Sequence, residues 1–220
     1  MESGKESVSK ELITYSNEKI TYEVATRILD IVLSLLGIVF LIPLLLVISI
    51  WIKLDDPKGN VIFSQTRVGK NGEPFKMYKF RSMYSDAEQR LANLLHLNEA
   101  EGAMFKMKED PRVTKIGKFI RKTSIDELPQ LFNVIKGEMS LVGPRPALPR
   151  EVQEYSEYDR QRLQVTPGIT GLWQVSGRSA LTFEEMLELD LQFIRNRKIS
   201  GYIKILFRTM IVVLKLENAY

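Results

Sequence analysis

Two adjacent carboxylates in the middle of the chain are the residues best suited to do chemistry. Asp126 and Glu127 follow a basic pair that begins at Arg121, and they stand where a new helix is expected to begin. The positive end of a helix favours an anion, lowers the pKa of a carboxylate and gathers phosphate through free N–H groups. A carboxylate held there can bind Mg²⁺ or attack phosphorus. A simpler interpretation stays open, because Ser124 and Glu127 have the spacing of a capping box and the pair could merely stabilise the helix start.

Two later motifs supply groups that can hold phosphate. Arg145 lies between two prolines that restrict its backbone, and a stiffly presented guanidinium suits bidentate phosphate binding. Segment 167–178 (PGITGLWQVSGR) has three glycines, which permit close backbone approach to a ligand. Within it, Trp173 could stack on a base or a sugar, and Arg178 could hold a phosphate. Each motif could also be an ordinary turn, the first with a solvent-facing arginine and the second with a tryptophan in the core.

The residues that are missing exclude several kinds of enzyme. The chain has 220 residues, with 31 Lys+Arg, 27 Asp+Glu, one His and no Cys. Disulfides, thiolate nucleophiles and cysteine zinc sites are therefore excluded, and the single His96 excludes metal sites built from several histidines. A metal would be a hard cation held by oxygen ligands. The net charge of +4 is mild, and no zinc-finger or RNP pattern is present, so no nucleic-acid partner is expected.

A long apolar segment lies near the beginning of the chain. From Ile31 to Ile52 no residue is charged, which is long enough for a helix that crosses a bilayer. Pro43 lies in its middle and should kink the helix. Basic residues flank both ends, whereas a spanning helix should have one basic side. A re-entrant segment that bends at Pro43 and leaves by the same face fits both observations, and a kinked spanning helix is the open alternative.

The rest of the sequence predicts the elements that would position these groups. We expect a polar tail over 1–20, a Pro-kinked membrane helix over 21–54 and a catalytic domain over 55–220. Strand-like residues at 60–66 and 73–83 flank an Asn-Gly pair, which predicts a β-hairpin.

Three helices are also predicted. Ser85 with Glu88 has the spacing of a capping box that opens a helix to about Asn98, and Thr182 with Glu185 opens another to about Asn196. Residues 202–216 have apolar and basic stripes that suit a membrane surface. The predicted fold is α+β and mainly helical: a re-entrant membrane helix, a small β-hairpin and interfacial amphipathic helices around a cytosolic catalytic domain.

Several long motifs follow one another in a distinctive order. After the apolar segment come YKFRSM at 78–83, SIDELPQLFNV at 124–134, GEMSLVGPRP at 137–146 and PGITG at 167–171. Together they resemble the bacterial sugar transferase family, the monotopic phosphoglycosyl transferases that start capsule and exopolysaccharide assembly. The resemblance runs from about Thr21 to about Leu216.

The resemblance implies a reaction and roles for named residues. A UDP-sugar would give its hexose-1-phosphate to undecaprenyl phosphate, with Mg²⁺ as cofactor and release of UMP. Asp126 would be the nucleophile that holds the phosphosugar covalently, and Glu127 would support the metal or aid proton transfer, so both carboxylates are candidate metal ligands. The resemblance further implies a set of residues that bind phosphate or the nucleotide sugar, namely Arg121, Arg145, Arg178, Lys79 and Asp190.

The resemblance also implies a place in the cell. The protein would lie on the cytoplasmic face of a bacterial cell membrane, in contact with the bilayer and its lipid acceptor, and a homodimer is compatible with the sequence. Two other functions stay open. One is a direct glycosyltransferase that releases UDP. The other is a non-catalytic membrane-anchored scaffold of a polysaccharide assembly complex, in which Asp126 and Glu127 only cap a helix.

Overall fold

The computed structural model describes residues 18–92, 94, 96, 107 and 109–215. Within them the chain is mainly helical, with two small two-stranded sheets, as expected for the predicted α+β class. In chain order the elements are α1 Glu18–Asp55, β1 Ile62–Val68, β2 Pro74–Phe80, α2 Ala87–Leu91, α3 Lys115–Lys122, α4 Gln130–Lys136, β3 Ser140–Val142, α5 Pro149–Gln153, α6 Glu157–Arg160, β4 Gly168–Thr170, α7 Phe183–Arg195 and α8 Ile199–Lys215.

Helix α1 is 38 residues long and runs through Pro43. Residues 18–20 of the predicted polar tail belong to it, and the rest of that tail lies outside the described residues. In the described part of the chain it is the one helix long and apolar enough to cross a membrane. Much of its apolar surface is uncovered, since Phe40 is 80% and Leu54 75% exposed. The described part of the protein therefore leaves much of the apolar surface of α1 uncovered.

Both ends of α1 are held by the rest of the protein. Near its beginning, Tyr22 belongs to a buried cluster that includes Leu191 of α7 and Tyr202 of α8. Near its end, Ile48 and Ile52 pack in a second cluster with β2 and α3. Because the two clusters lie at opposite ends of the helix, α1 has a fixed orientation relative to the elements that follow it.

Polar contacts add to this attachment. The guanidinium of Arg27 donates to the carbonyls of Val134 and Ile135 in the last turn of α4, at 2.5 and 2.7 Å. A cation in this position suits the negative end of a helix. The apolar helix is thus tied directly to the helix that follows the acidic pair.

The predicted β-hairpin is confirmed. Strands β1 and β2 pair antiparallel, with Ile62 opposite Phe80. The 3₁₀ turn Lys70–Gly72 joins them, and Asn71 and Gly72 have φ of 58° and 86°. Positive φ at both residues is what an Asn-Gly turn requires.

Of the two capping boxes predicted to open the helices after residues 85 and 182, one is confirmed and one is wrong. The N–H of Thr182 donates to the Glu185 carboxylate at 2.8 Å, and the Glu185 N–H donates back to the Thr182 hydroxyl at 3.3 Å. Ser85 does not cap a helix, because its N–H donates to Asp56 at 2.8 Å and α2 begins later, at Ala87. The predicted end of that helix near residue 98 lies outside the described residues.

A second sheet was not predicted. Strands β3 and β4 pair in parallel, which joins the Gly-Pro-Arg-Pro motif to the Pro-Gly-Ile-Thr-Gly motif. A Cβ on Gly168 would lie 2.0 Å from the backbone nitrogen of Gly143, and one on Gly171 would lie 2.5 Å from the Gly143 carbonyl oxygen. These two glycines therefore allow the chain to approach itself. The expectation that they allow approach to a ligand is corrected.

The last helix, α8, has two apolar faces. Tyr202 and Ile205 are buried against the core, whereas Phe207 and Leu214 are 59% and 81% exposed. The predicted amphipathic helix is therefore present, and part of its apolar stripe is free to meet an apolar environment.

Candidate active site

Asp126 lies in a tight turn between two helices. Helix α3 ends at Lys122, and the 3₁₀ turn Ile125–Glu127 follows. Ser124, just before the turn, has φ of 56°, a left-handed conformation that is uncommon for a residue other than glycine. Its side chain makes no capping bond, so the capping-box interpretation of the acidic pair is wrong.

Lys79 of β2 brings the two carboxylates to a common point. Its ammonium lies 2.7 Å from Oε1 of Glu127 and 3.7 Å from Oδ2 of Asp126. The side chains of all three are mostly buried, with exposures of 20% for Lys79, 22% for Glu127 and 11% for Asp126. The structure thus brings together three residues that the sequence predicted for the site.

Two arginines complete the arrangement. Arg145 Nη1 lies 3.8 Å from Oε1 of Glu127, and its side chain is 38% exposed. Arg121, in the last turn of α3, donates from Nε to the hydroxyl of Ser82 at 2.8 Å and also acts on the charge of Asp126. The pair is therefore surrounded by cations, of which Arg145 has the most freedom to meet a ligand.

The electrostatic states of the two carboxyls differ. Burial raises the pKa of Asp126, the neighbouring charge of Glu127 raises it further, and Lys79 and Arg121 offset this rise only in part. Burial also acts on Glu127, but Lys79, Arg145 and Arg67 together hold the pKa of that carboxyl below its usual range. Glu127 is thus the better-neutralised anion, and Asp126 keeps a poorly compensated charge.

Asn133 fixes the distance between the acidic turn and β2. It is fully buried on α4, accepts from the N–H of Tyr78 at 3.0 Å and donates to the carbonyl of Lys76 at 2.7 Å. Because Lys79 follows Tyr78 directly, these two hydrogen bonds set where the Lys79 ammonium meets the carboxylates. Sequence reasoning missed the role, although Asn133 lies within the motif that contains the acidic pair.

Arg67 is a second residue that the sequence did not mark for the site. It lies at the end of β1, donates from Nη1 to the carbonyl of Pro146 at 3.1 Å and lies close enough to Arg145 for their charges to repel. Burial lowers the pKa of Arg67 to about 10, and repulsion by Arg145 adds to the shift. Arg67 and Arg145 thus place two mutually repelling cations beside Glu127, and an anionic ligand at this edge would relieve that repulsion.

The donor atoms fit a magnesium ion. Asp126 and Glu127 already converge on one cationic centre, the Lys79 ammonium. Among the residues that the structure describes there is no group of three or more His, Asp or Glu that could hold a metal. Mg²⁺ binds through one or two carboxylates and takes its other ligands from phosphate oxygens and water, so two carboxylates suffice.

The remaining predicted residues lie elsewhere. Asp190 of α7 is 1% exposed and pairs with Arg162 at 2.5 Å, so it does not join the acidic pair and cannot meet a ligand directly. Arg178 opens the 3₁₀ turn Arg178–Ala180, which packs against the turn that contains Trp173. His96 is exposed.

A protein-family model matches most of the chain, including the motifs described above. The model of the bacterial sugar transferases matches residues 21–216. The chain belongs to this family. The match includes α1, the acidic turn and both small sheets, so the site described above lies within the shared region.

Individual relatives agree with this assignment. The chain is 50% identical over 213 residues to the galactosyl transferase CpsE of Streptococcus agalactiae, covering 92% of this chain and 45% of the relative. It is 43% identical over 198 residues to the undecaprenyl-phosphate galactose phosphotransferase of Salmonella typhimurium, covering 88% and 41%. It is 36% identical over 200 residues to the exopolysaccharide production protein ExoY of Rhizobium meliloti, covering 89% and 88%. The chain thus spans less than half of the first two relatives and most of the third.

Proposed function

We propose that the protein is a phosphoglycosyl transferase, which moves a hexose-1-phosphate from a UDP-sugar to undecaprenyl phosphate at the start of capsule or exopolysaccharide synthesis. The observation that carries the proposal is a buried, poorly compensated Asp126 beside a well-neutralised Glu127, with Lys79, Arg121 and Arg145 around them. The name of the Salmonella relative supports undecaprenyl phosphate as the acceptor, and the name of the Rhizobium relative supports the exopolysaccharide pathway.

In the first step an oxygen of the Asp126 carboxylate attacks the β-phosphorus of the UDP-sugar. A bond forms between that oxygen and phosphorus, the bond from phosphorus to the bridging oxygen breaks, and UMP leaves with that oxygen. Carboxylates are established covalent nucleophiles at phosphorus. Arg145, half-exposed at the edge of the site, binds a donor phosphate, and Lys79 with Arg121 offsets the charge that gathers near Asp126.

In the second step a phosphate oxygen of undecaprenyl phosphate attacks the phosphorus held on Asp126. The bond between phosphorus and the Asp126 oxygen breaks, so the free carboxylate returns and the sugar is left on a lipid diphosphate. Mg²⁺, when held by Asp126 and Glu127, supplies charge neutralisation that lets one anion approach another. A two-step route means that the water-soluble donor and the lipid acceptor need not be bound together.

The position of the site suits a lipid acceptor. The helix that follows the acidic turn, α4, packs against α1, and its last turn is bonded to Arg27. The exposed apolar side chains of α1 and α8 provide surface that a bilayer would cover. We infer a protein bound to the cytoplasmic face of the membrane, with the acidic pair at the height of the lipid headgroups.

The released nucleotide tests the proposal most directly. Purified protein in nanodiscs with Mg²⁺ and undecaprenyl phosphate would be given a panel of UDP-sugars. We expect UMP, released only in the presence of the lipid phosphate at steady state, from the correct sugar. Donor alone should leave one phosphosugar on the protein, seen as an added mass on the peptide that contains Asp126.

Two variants separate the alternatives. Asp126→Asn should lose both UMP release and the adduct, while Asp86→Asn, which removes a partly exposed carboxylate that pairs with Arg90, should keep both. Release of UDP would indicate direct glycosyl transfer. Full activity of Asp126→Asn, or a wild-type protein that consumes none of the UDP-sugars, would favour a non-catalytic scaffold.

The proposed re-entrant membrane helix has its own test. Pro43 lies within α1 and lacks the N–H that a straight helix uses, so Pro43→Ala should let the segment straighten and span the bilayer. Because the chain has no cysteine, a single cysteine at Ser7 can report the side of the membrane by labelling, with Ser64→Cys as a reference in the catalytic domain. We expect both sites on the cytoplasmic side in the wild-type background and Ser7→Cys on the opposite side after Pro43→Ala. A wild-type residue 7 on the outer side contradicts the re-entrant arrangement.

A further inference from the structure

The loop that carries Arg145 is held by its backbone. The carbonyl oxygens of four consecutive residues, from Pro144 to Ala147, each accept a hydrogen bond from a different partner. Two partners are backbone N–H groups in strands and two are arginine side chains. The donors, in order along the loop, are Gly168 N at 2.8 Å, Arg162 Nη2 at 3.4 Å, Arg67 Nη1 at 3.1 Å and Val68 N at 2.9 Å.

Among the residues that the structure describes, the side chain of Arg145 makes no comparably tight contact. Its guanidinium lies 3.8 Å from Glu127 and is 38% exposed, which is a loose surface contact. Prolines on both sides restrict its backbone further. The position from which Arg145 reaches a ligand is therefore set by the loop. Arg162 is the residue that donates to the backbone carbonyl of Arg145.

Arg162 is a buried charge with incomplete compensation. Its side chain is 8% exposed and pairs through Nη2 with Oδ2 of Asp190, which is 1% exposed, while Nη1 donates to the hydroxyl of Tyr155 at 2.8 Å. Within the described part of the chain, Nε of Arg162 and Oδ1 of Asp190 make no hydrogen bond. A buried ion pair that leaves polar atoms unpaired adds little stability compared with apolar side chains of similar volume. Stability alone therefore gives a weak reason for these two charges.

We propose that Arg162 and Asp190 are positioning residues, which hold the carbonyl of Arg145 so that its guanidinium meets the donor phosphate. Asp190 keeps the buried guanidinium charged and oriented, and Arg162 passes that orientation to the loop. The proposal rests on the proposed function, because it takes Arg145 to be a phosphate-binding residue. It also gives Asp190 a role that fits its burial, in place of direct ligand binding.

A double-mutant cycle tests this role. UMP release and the KM for the UDP-sugar would be measured for wild type, Arg162→Met, Arg145→Ala and the double variant. We expect Arg162→Met to raise the donor KM about tenfold, since small displacements of a binding group have large kinetic effects, with little change in the KM for the lipid phosphate. In the Arg145→Ala background the same change should have no further effect, because the group being positioned is gone.

The matched control is Arg112→Met. Arg112 also forms a buried pair, with Asp110, at side-chain exposures of 7% and 9%. The Arg112→Met variant should have a lower melting temperature than wild type and an unchanged donor KM. Should Arg162→Met yield too little folded protein, Asp190→Asn gives the same readout, and Arg162→Lys should restore part of the donor KM because an ammonium can still pair with Asp190.

Two results would overturn the inference. An unchanged donor KM in folded Arg162→Met or Asp190→Asn would show that Arg145 is positioned without them. Equal effects of Arg162→Met with and without Arg145 would show a general structural role. In both cases wild type still releases UMP, so the proposed function survives. A wild-type protein that releases no UMP with any donor would instead overturn the proposed function and this inference with it.

Discussion

Two buried aspartates near strand β2 have the same exposure and opposite electrostatic states. Over the whole residue, backbone included, Asp56, just after α1, and Asp126, in the acidic turn, are each 8% exposed. Burial raises the pKa of both carboxyls. For Asp56 the N–H of Ser85 and the guanidinium of Arg81 outweigh burial and hold the pKa below its usual range, whereas for Asp126 burial prevails and the pKa is raised.

The difference lies in how each carboxylate is contacted. Asp56 accepts from Arg81 Nη1 at 2.7 Å, from the N–H of Ser85 at 2.8 Å and from the N–H of Lys58 at 3.3 Å. The cation nearest to Asp126, Lys79, lies 3.7 Å away and makes its short contact with Glu127 instead. Two features therefore separate these carboxyls despite their equal residue exposure: Asp126 lies deeper in the protein, and Asp56 accepts more hydrogen bonds on its oxygens.

Strand β2 serves both regions through neighbouring residues. Lys79 points to the acidic pair, and Arg81, two residues later and just past the end of the strand, points to Asp56. Residues two apart on an extended chain point the same way, so a single short segment provides the cation for each site. The structural pair at Asp56 thereby helps to fix the strand that carries Lys79.

The largest expected contrast is in stability. Asp56→Asn should lower the free energy of unfolding by about 3 kcal/mol, because it leaves the buried guanidinium of Arg81 without its anion. Asp126→Asn should leave the free energy of unfolding unchanged or raise it, because it removes a buried charge whose neighbouring cation, Lys79, makes its short contact with Glu127 instead. Thermal and denaturant unfolding in detergent without Mg²⁺ would measure both. If Asp126→Asn loses as much stability as Asp56→Asn, Asp126 is a structural carboxylate and the comparison fails.

The next contrast is between the two lysines of β2, Lys79 at the acidic pair and Lys76 away from it. Lys79→Met should lower kcat/KM about 100-fold, which is typical for the loss of one preorganised group that stabilises charge in the transition state. Lys76→Met is the matched control, because Lys76 is exposed on the same strand and its ammonium donates to the hydroxyl of Thr66 at 2.9 Å. Equal activities of the two variants would contradict a catalytic role for Lys79.

A pH series separates the two regions by a smaller effect. A carboxyl whose pKa is lowered by folding contributes stability above its unfolded pKa of about 4, and that contribution is lost as the pH falls through the folded value. The difference in melting temperature between wild type and Asp56→Asn should therefore be largest near pH 7 and shrink toward pH 3. A difference that stays constant over this range would mean that the ion pair with Arg81 does not contribute through its charge.

Local sequence signals predicted the local structure well. The Asn71-Gly72 hairpin and the Thr182 capping box depend on residues within a few positions of one another, and both are confirmed. The Ser85 box failed because a distant carboxylate, Asp56, takes the N–H of Ser85. Local spacing cannot show such competition.

The composition of the site was readable, but its geometry was not. The motif around residue 126 identified Asp126 and Glu127 as a pair, yet the contact of Lys79 with Glu127 joins residues 48 positions apart. The parallel pairing of β3 with β4, which holds the Arg145 loop, also joins distant segments. Asp190 was predicted to bind a ligand because it matches a carboxylate of the family. It is buried because α7 packs against the distant turn Gln161–Gln164, which the local sequence does not show.

The smallest predicted effect lies at the border between the two regions. Ser82 follows Arg81 directly, but its hydroxyl accepts from Nε of Arg121 on the side of the acidic pair. Ser82→Ala should lower kcat/KM about fivefold, close to 1 kcal/mol, which is the typical net worth of one hydrogen bond. It should leave the melting temperature nearly unchanged, because the Asp56 pair is intact. Ser64→Ala, at an exposed position on β1, is the control that removes a serine hydroxyl elsewhere. A large loss of stability with normal activity would place Ser82 with Asp56, and would mean that Arg121 reaches its ligand without that hydroxyl.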